Sequence, residues 1–202
     1  MAEVGRPRGF EPDAAIDAAI DTFWRHGYDS TGLTELTAAM NISRPALYRA
    51  FGDKEQLFRR ALERYIDVTM GYVETALAQP SAREVVEAFL TGNAEAVTMP
   101  GRPPGCLSVQ AMVTDEAGIF ALLARNRATI QDRLAERLRR SVADGDMSPE
   151  EDPDELARFV ITLTTGFAIR AADGESRQAL LALAHRALAV LPASSVPSQP
   201  RS

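Results

Sequence analysis

Along most of the chain, apolar residues recur at three- and four-residue steps, the repeat of a helix with one buried face. Between Pro12 and His26 this repeat runs through Ile16, Ala19, Ile20 and Phe23. Glu11 and Asp13 stand at its start, where negative charge suits the helix dipole, and Gly27 supplies a stop. A short segment from Leu33 to Met40 sets Leu36 and Met40 one turn apart, and Asn41 follows, a residue that tolerates positive φ. Ser43, Arg44 and Pro45 open a second short helix. Serine caps the first free amides there, and proline fits a first turn whose N–H groups lack partners. Leu47 and Phe51 form its inner face, Gly52 breaks it, and Asp53 with Gln56 starts a long helix that the pattern carries to about Ala78.

The same period continues downstream. It predicts helices over Ser81 to Val97, Cys106 to Glu116, Ile119 to Ala143, Asp152 to Ala172 and Ser176 to Leu191. The stretch from Met99 to Gly105 is dense in helix breakers and reads as a loop. In the long helix after it, Leu123, Ile130, Leu134, Leu138 and Val142 make one stripe, and the arginines between Arg125 and Arg140 read as a solvated face. No segment alternates like a strand. The expectation is an all-α protein of about nine helices. Residues 1–60 form a three-helix unit, 61–191 a larger helical domain, and 192–202, rich in Pro and Ser, a disordered tail. The last two helices are apolar on more than one stripe and so must be covered on more than one side.

Composition bounds the class. With 46% apolar residues in 202, the chain can bury a real core, and no uncharged stretch supplies the roughly 20 apolar residues of a membrane span. The first residues hold no apolar segment suited to a signal peptide, and the single Cys106 has no partner for a disulfide. The expected location is the cytoplasm, with no membrane contact. A net charge of −6 argues at first against a polyanionic partner. Locally the balance reverses: residues 41–60 carry Arg44, Arg49, Lys54, Arg59 and Arg60 against Asp53 and Glu55.

Two short helices joined by a tight turn and followed by a longer one describe a helix-turn-helix, whose second short helix enters the DNA major groove. With Leu47 and Phe51 turned inward, Pro45, Ala46 and Arg49 point outward, with Arg44 and Tyr48 along the edge. The residues Gly5-Arg6-Pro7-Arg8, Phe23-Trp24-Arg25-His26-Gly27-Tyr28, Thr31, Leu47 to Glu55, and Leu57-Phe58 stand in one order over about 60 positions. In this the chain resembles the tetracycline-repressor (TetR/AcrR) family of transcriptional regulators. The resemblance implies a homodimer that binds a near-palindromic double-stranded operator and is released by a small apolar or amphipathic effector. It nominates Thr31 and Thr34 for phosphate contact, and Ser43, Arg44, Pro45, Ala46, Tyr48 and Arg49 on the recognition helix. Arg44 and Arg49 have the fork geometry for guanine, whereas the hydroxyls of Thr31, Thr34 and Tyr48 suit the backbone. Lys54, the only lysine, stands at a helix N-terminus that favours phosphate. Arg6 and Arg8 lie on an arm suited to the minor groove. Gly32 stands where the family commonly has a serine or alanine.

An effector pocket among the C-terminal helices is expected from Phe89, Asn93, Cys106, Gln110, Val113, Phe167 and Arg170. A dimer face is expected from Phe159, Leu163, Leu181 and Leu188. Phe51 and Trp24 read as packing residues and Tyr48 as a shared one. Cys106 reads as a small hydrophobe, with redox sensing as the alternative. His26 and His185 suggest neither a metal site nor a base, and no cofactor is expected. The other readings are a regulator without a small-molecule effector and a small helical enzyme. The second lacks any nucleophile paired with a base, so the chain is not expected to be an enzyme.

Overall fold

The computed structural model describes residues 10–189, which form ten helices and no strand. In chain order they are α1 (Pro12–His26), α2 (Leu33–Ala39), α3 (Arg44–Phe51), α4 (Lys54–Thr69), α5 (Gly71–Leu77), α6 (Ala82–Val97), α7 (Leu107–Gln110), α8 (Ala117–Ala143), α9 (Pro153–Ala172) and α10 (Arg177–Leu188). No helix among the described residues is long and apolar enough to cross a membrane. The expected tail from 192 and the arm with Arg6 and Arg8 lie outside the described residues.

Two boundaries differ from the sequence pattern, each for a tertiary reason. The helix expected to run from Asp53 to Ala78 is two, broken at Met70 and Gly71. After the break α5 lies against α6 so closely that a Cβ on Gly92 would meet the Tyr72 Cβ at 2.7 Å. Glycine costs about 1 kcal/mol in a helix interior, so Gly71 is a cheap place to redirect the chain. The apolar segment from Cys106 to Glu116 is helical only over Leu107–Gln110. Its second half is held out of helix by the loop after α1: the Asp29 carboxylate accepts from Thr114 Oγ1 at 2.8 Å and from the Asp115 N–H at 2.9 Å.

Packing divides into two apolar cores. The first joins α1 to α4 through Phe23, Trp24, Leu36, Leu47, Phe51, Leu57 and Phe58, and α4 continues it with Ala61, Leu62 and Tyr65. Arg64 on α4 grips Asp17 on α1 with two bonds of 2.6 and 2.9 Å. The second core joins α5, α6, α8, α9 and α10 through Val85, Val86, Phe89, Leu90, Leu134, Leu138, Val160 and Leu180. The first core does not end near residue 60, because Leu107 and Ala111 from α7 and its C-cap, with Ile119 and Leu123 from α8, are buried in it.

The arginine face of α8 is not uniformly solvated. Arg137 is buried, and it donates to the carbonyls of Leu77, Gln79 and Pro80 and to Ser141 Oγ. It thereby satisfies carbonyls at the end of α5 that the helix leaves without partners. Among the residues expected at a dimer face, Leu188 is buried in the C-terminal core at 3% exposure. Leu163 and Leu181 are half-buried against that core, and Phe159 is exposed. Ile169 on α9 and Leu183 on α10 are further exposed apolar side chains on these two helices.

Candidate nucleic-acid interface and the cavity behind it

The turn between α2 and α3 is built as its residues suggest. Asn41 takes φ 52°, and the Ile42 N–H donates back to Thr37 O at 3.0 Å. Ser43 caps α3 by accepting from the Ala46 N–H at 3.3 Å, and Pro45 sits in the first turn. Leu47 and Phe51 are buried, which fixes the rotation of α3 and leaves Arg44, Pro45, Tyr48 and Arg49 exposed on its other side. Tyr48 is 51% exposed, so its ring is a surface group. Arg44 Nη2 donates to Thr34 Oγ1 at 2.6 Å, tying the two short helices together and placing both nominated side chains on one surface. Ala46 is half-buried.

Thr31 departs from its nomination. It is fully buried, and its hydroxyl donates to Gly27 O at 2.6 Å, so it closes the turn after α1 and has no path to a phosphate. Lys54, at the start of α4, is half-buried. Its ammonium lies 4.2 Å from the centre of the Tyr28 ring and 3.5 Å from Asp29 O. Burial lowers the Lys54 pKa, and the Asp29 and Glu116 carboxylates oppose that shift. Burial, joined by Glu116, Glu55, Asp53 and Asp29, pushes the Tyr28 phenol up to about 12. The amine is thus a cation held on an aromatic face beside the loop that the segment joining α7 to α8 also grips.

Behind this unit lies a cavity of about 50 Å³ walled by α5, α6, α7, α8 and α9. It brings together Phe89, Asn93 and Cys106 of the residues expected there. The other four lie elsewhere. Val113 is 82% exposed, because the segment after α7 is not helical. Phe167 faces the C-terminal core, Gln110 stands at the end of α7 beside Gly27, and Arg170 is exposed and pairs with Glu175 at 2.5 Å. The missed lining residues include Asn126 and Arg127 on α8 and Tyr72 on α5. Alternating arginines on an amphipathic helix resemble surface, and nothing local marks Arg127 as an inward one.

The polar groups of this cavity are incompletely partnered. Asn93 Nδ2 donates to the Tyr72 hydroxyl at 3.0 Å, while its Oδ1 has no partner among the described residues. Asn126 Nδ2 and Arg127 Nη1 are likewise buried without one. Cys106 Sγ accepts from the Tyr65 hydroxyl at 3.2 Å and lies 3.1 Å from Ser108 Oγ. Burial holds both the Tyr65 and Tyr72 phenols far above the ordinary tyrosine range.

Helix α7 stands between the cavity and the DNA-facing unit. Cys106, Ser108 and Val109 line the cavity, while Leu107 and Ala111 are buried in the N-terminal core. Gly105 sets its angle. It holds φ +91°, and a Cβ there would come 3.0 Å from Ala168 O on α9.

A family model described as bacterial regulatory proteins, tetR family, matches residues 15–61. The chain is 33% identical to the HTH-type transcriptional repressor ComR of Escherichia coli (strain K12), over 93% of this chain and 92% of that protein. It is 30% identical to the HTH-type transcriptional repressor BdcR of the same strain, over 89% and 88%. A cysteine mutant of the TetR family transcriptional regulator CifR, solved with 26-bp double-strand operator DNA, superimposes with a TM-score of 0.87. It is 40% identical, over 93% of this chain and 100% of that one.

Proposed function

Because the chain belongs to the tetR family of bacterial regulatory proteins, we propose that it is a homodimeric repressor whose grip on a near-palindromic operator is released by an effector in the cavity behind α7. It is a DNA-binding transcriptional regulator and not an enzyme. The observation that carries the reading is the exposed edge of α3. Two arginines and a tyrosine stand outward on a helix locked by Leu47 and Phe51, in a fold shared with a relative solved on its operator. In a two-fold dimer the two α3 helices fall about 34–36 Å apart, one turn of DNA, which makes the operator near-palindromic. Phe159, Ile169 and Leu183, exposed on α9 and α10, support a partner subunit on that side.

Release works through α7. A ligand touching Cys106, Ser108 or Val109 presses on the helix whose opposite residues sit in the core of α1 and α4. A small tilt there changes the α3 spacing across the dimer, and a ligand that prefers the tilted form shifts the population by its differential affinity. The test is a mobility-shift assay with DNA flanking the protein's own gene at two salt concentrations. Wild type gives a specific complex that Arg49→Ala weakens. No specific complex with wild type refutes the repressor reading.

A further inference from the structure

Three unpartnered polar atoms on residues of α6 and α8 that line the cavity narrow the chemistry of what it holds. Buried polar groups in native proteins are nearly always paired, and each one left unpaired costs roughly 1–3 kcal/mol. Here Asn93 Oδ1, Asn126 Nδ2 and Arg127 Nη1 are all buried, all without partners among the described residues, and all belong to residues lining the same space. Asn93 is 93% buried, and one end of its amide is spent on Tyr72; turned so that Oδ1 accepts from the Tyr72 hydroxyl, its Nδ2 becomes a further donor toward the space. Among the described residues the lining includes no aspartate or glutamate, so nothing there offsets the charge of Arg127. Asn126 precedes it on α8 and adds a neutral donor. An arginine and an amide on one side, with aliphatic and aromatic walls around them, fit a planar oxyanion carrying a short apolar tail.

Size narrows the class further. An apolar cavity of about 150 Å³ holds a benzene ring, and this one is about a third of that. At rest it takes fewer heavy atoms than benzene or a four-carbon acid carries, so a flexible chain enters only as Val109 yields, and a rigid ring needs a wider opening still. We propose that the effector is a short-chain carboxylate, its oxygens received by Arg127 Nη1 and Asn126 Nδ2 and its tail laid against Phe89 and Ile130. This rests on the reading of the cavity as the effector site. Bound so, the tail lies beside Val109 and Cys106, where α7 begins.

Cys106 gives a direct readout, because it is the only cysteine and stands in the cavity wall. The rate at which iodoacetamide alkylates this thiol in the full-length protein reports occupancy without DNA. Sodium butyrate is expected to slow alkylation saturably and to raise the thermal midpoint, whereas n-butanol and n-butylamine at equal concentration do neither. Arg127→Gln and Asn126→Leu should each raise the butyrate concentration needed by roughly 10- to 100-fold, the size of one charge-assisted hydrogen bond. Arg125→Gln, on the exposed face of α8, should not. Protection by butanol equal to that by butyrate, protection by neither together with an unmoved thermal midpoint, or unchanged butyrate binding in Arg127→Gln overturns the carboxylate assignment. Operator binding by the ligand-free protein tests the repressor reading separately. Butyrate binding that leaves the operator complex intact keeps the ligand class and refutes release from this cavity.

Discussion

Leu107 is the residue where the two halves of the molecule can be told apart by a single substitution. It is fully buried on α7, yet its neighbours are the core of α1 and α4. Leu90 on α6 is equally buried, but in the C-terminal core. Leucine to alanine at either place removes the same atoms and leaves a cavity, at a cost of about 2–5 kcal/mol. For a chain of this size that lowers the melting temperature by roughly 4–20 °C. Stability alone therefore does not distinguish them. Operator affinity does, if α7 braces α1. Gly27, at the end of α1, lies under the carbonyl of Gln110 with room for a Cβ only at 3.3 Å, so a loosened α7 frees the end of α1 directly. If about 1.4 kcal/mol of the cost falls on that contact, operator affinity drops about tenfold. The assay is fluorescence anisotropy with a labelled operator, well below both melting temperatures so that both variants are folded. Leu107→Ala should bind about tenfold more weakly than wild type, and Leu90→Ala within about threefold. Equal affinities for the two variants refute the brace.

Further outcomes follow from other contacts. Arg137→Leu strips the donor from the carbonyls of Leu77, Gln79 and Pro80 and should cost at least ~2 kcal/mol in urea unfolding. Arg133→Leu loses only the exposed pair with Glu74 and should cost no more than ~1 kcal/mol; equal costs contradict the assigned role of Arg137. Asp17 is held below the usual carboxylate range, first by its hydrogen bonds to Arg64. A depressed folded value stabilises the protein above the unfolded value and is lost as pH falls through the folded one. The advantage of wild type over Asp17→Asn, at most ~1 kcal/mol for this partly exposed pair, should be full at pH 7 and vanish in acid; a pH-independent difference refutes it. Lys54→Ala should weaken binding to every DNA sequence and lower the salt slope by about one. If Lys54 is only a strut on Tyr28, the melting temperature falls and the slope stays.

The N-terminal half was legible because its signals are local. The Ser43 cap, Pro45 in the first turn, and Asn41 at positive φ each act within a few residues, and the structure realises all three. Where the pattern failed, the cause lay far along the chain. The break at Met70 answers to the close approach of Tyr72 on α5 to Gly92 on α6, and the early end of α7 answers to Asp29, more than eighty residues upstream. Arg127 and Arg137 fall among exposed arginines on α8 and share their chemistry; only the neighbours that cover them make one a cavity group and the other a cap. Thr31 failed for the opposite reason. A hydroxyl beside a helix end is as apt for the nearest free carbonyl as for a phosphate, and Gly27 is nearer.

Helix α7 is the element through which the proposed effector cavity would act on the DNA-facing unit without a long path between them. A four-residue helix has no stable existence of its own, since its few hydrogen bonds do not repay nucleation. Its position is set by what its two sides touch: Leu107 and Ala111 in one core, and Cys106, Ser108 and Val109 on the other. Coupling between sites is typically 1–3 kcal/mol, and one unpaired buried polar atom is worth about as much. A ligand that satisfies Asn126 and Arg127 only when Val109 moves aside gains that amount in the displaced form alone. Moving Leu107 out of register with α1 costs a similar amount, which the ligand must supply, and operator contacts must outweigh the ligand's gain to restore the register. In the proposed release the two sites compete through one element that is too short to choose its place by itself.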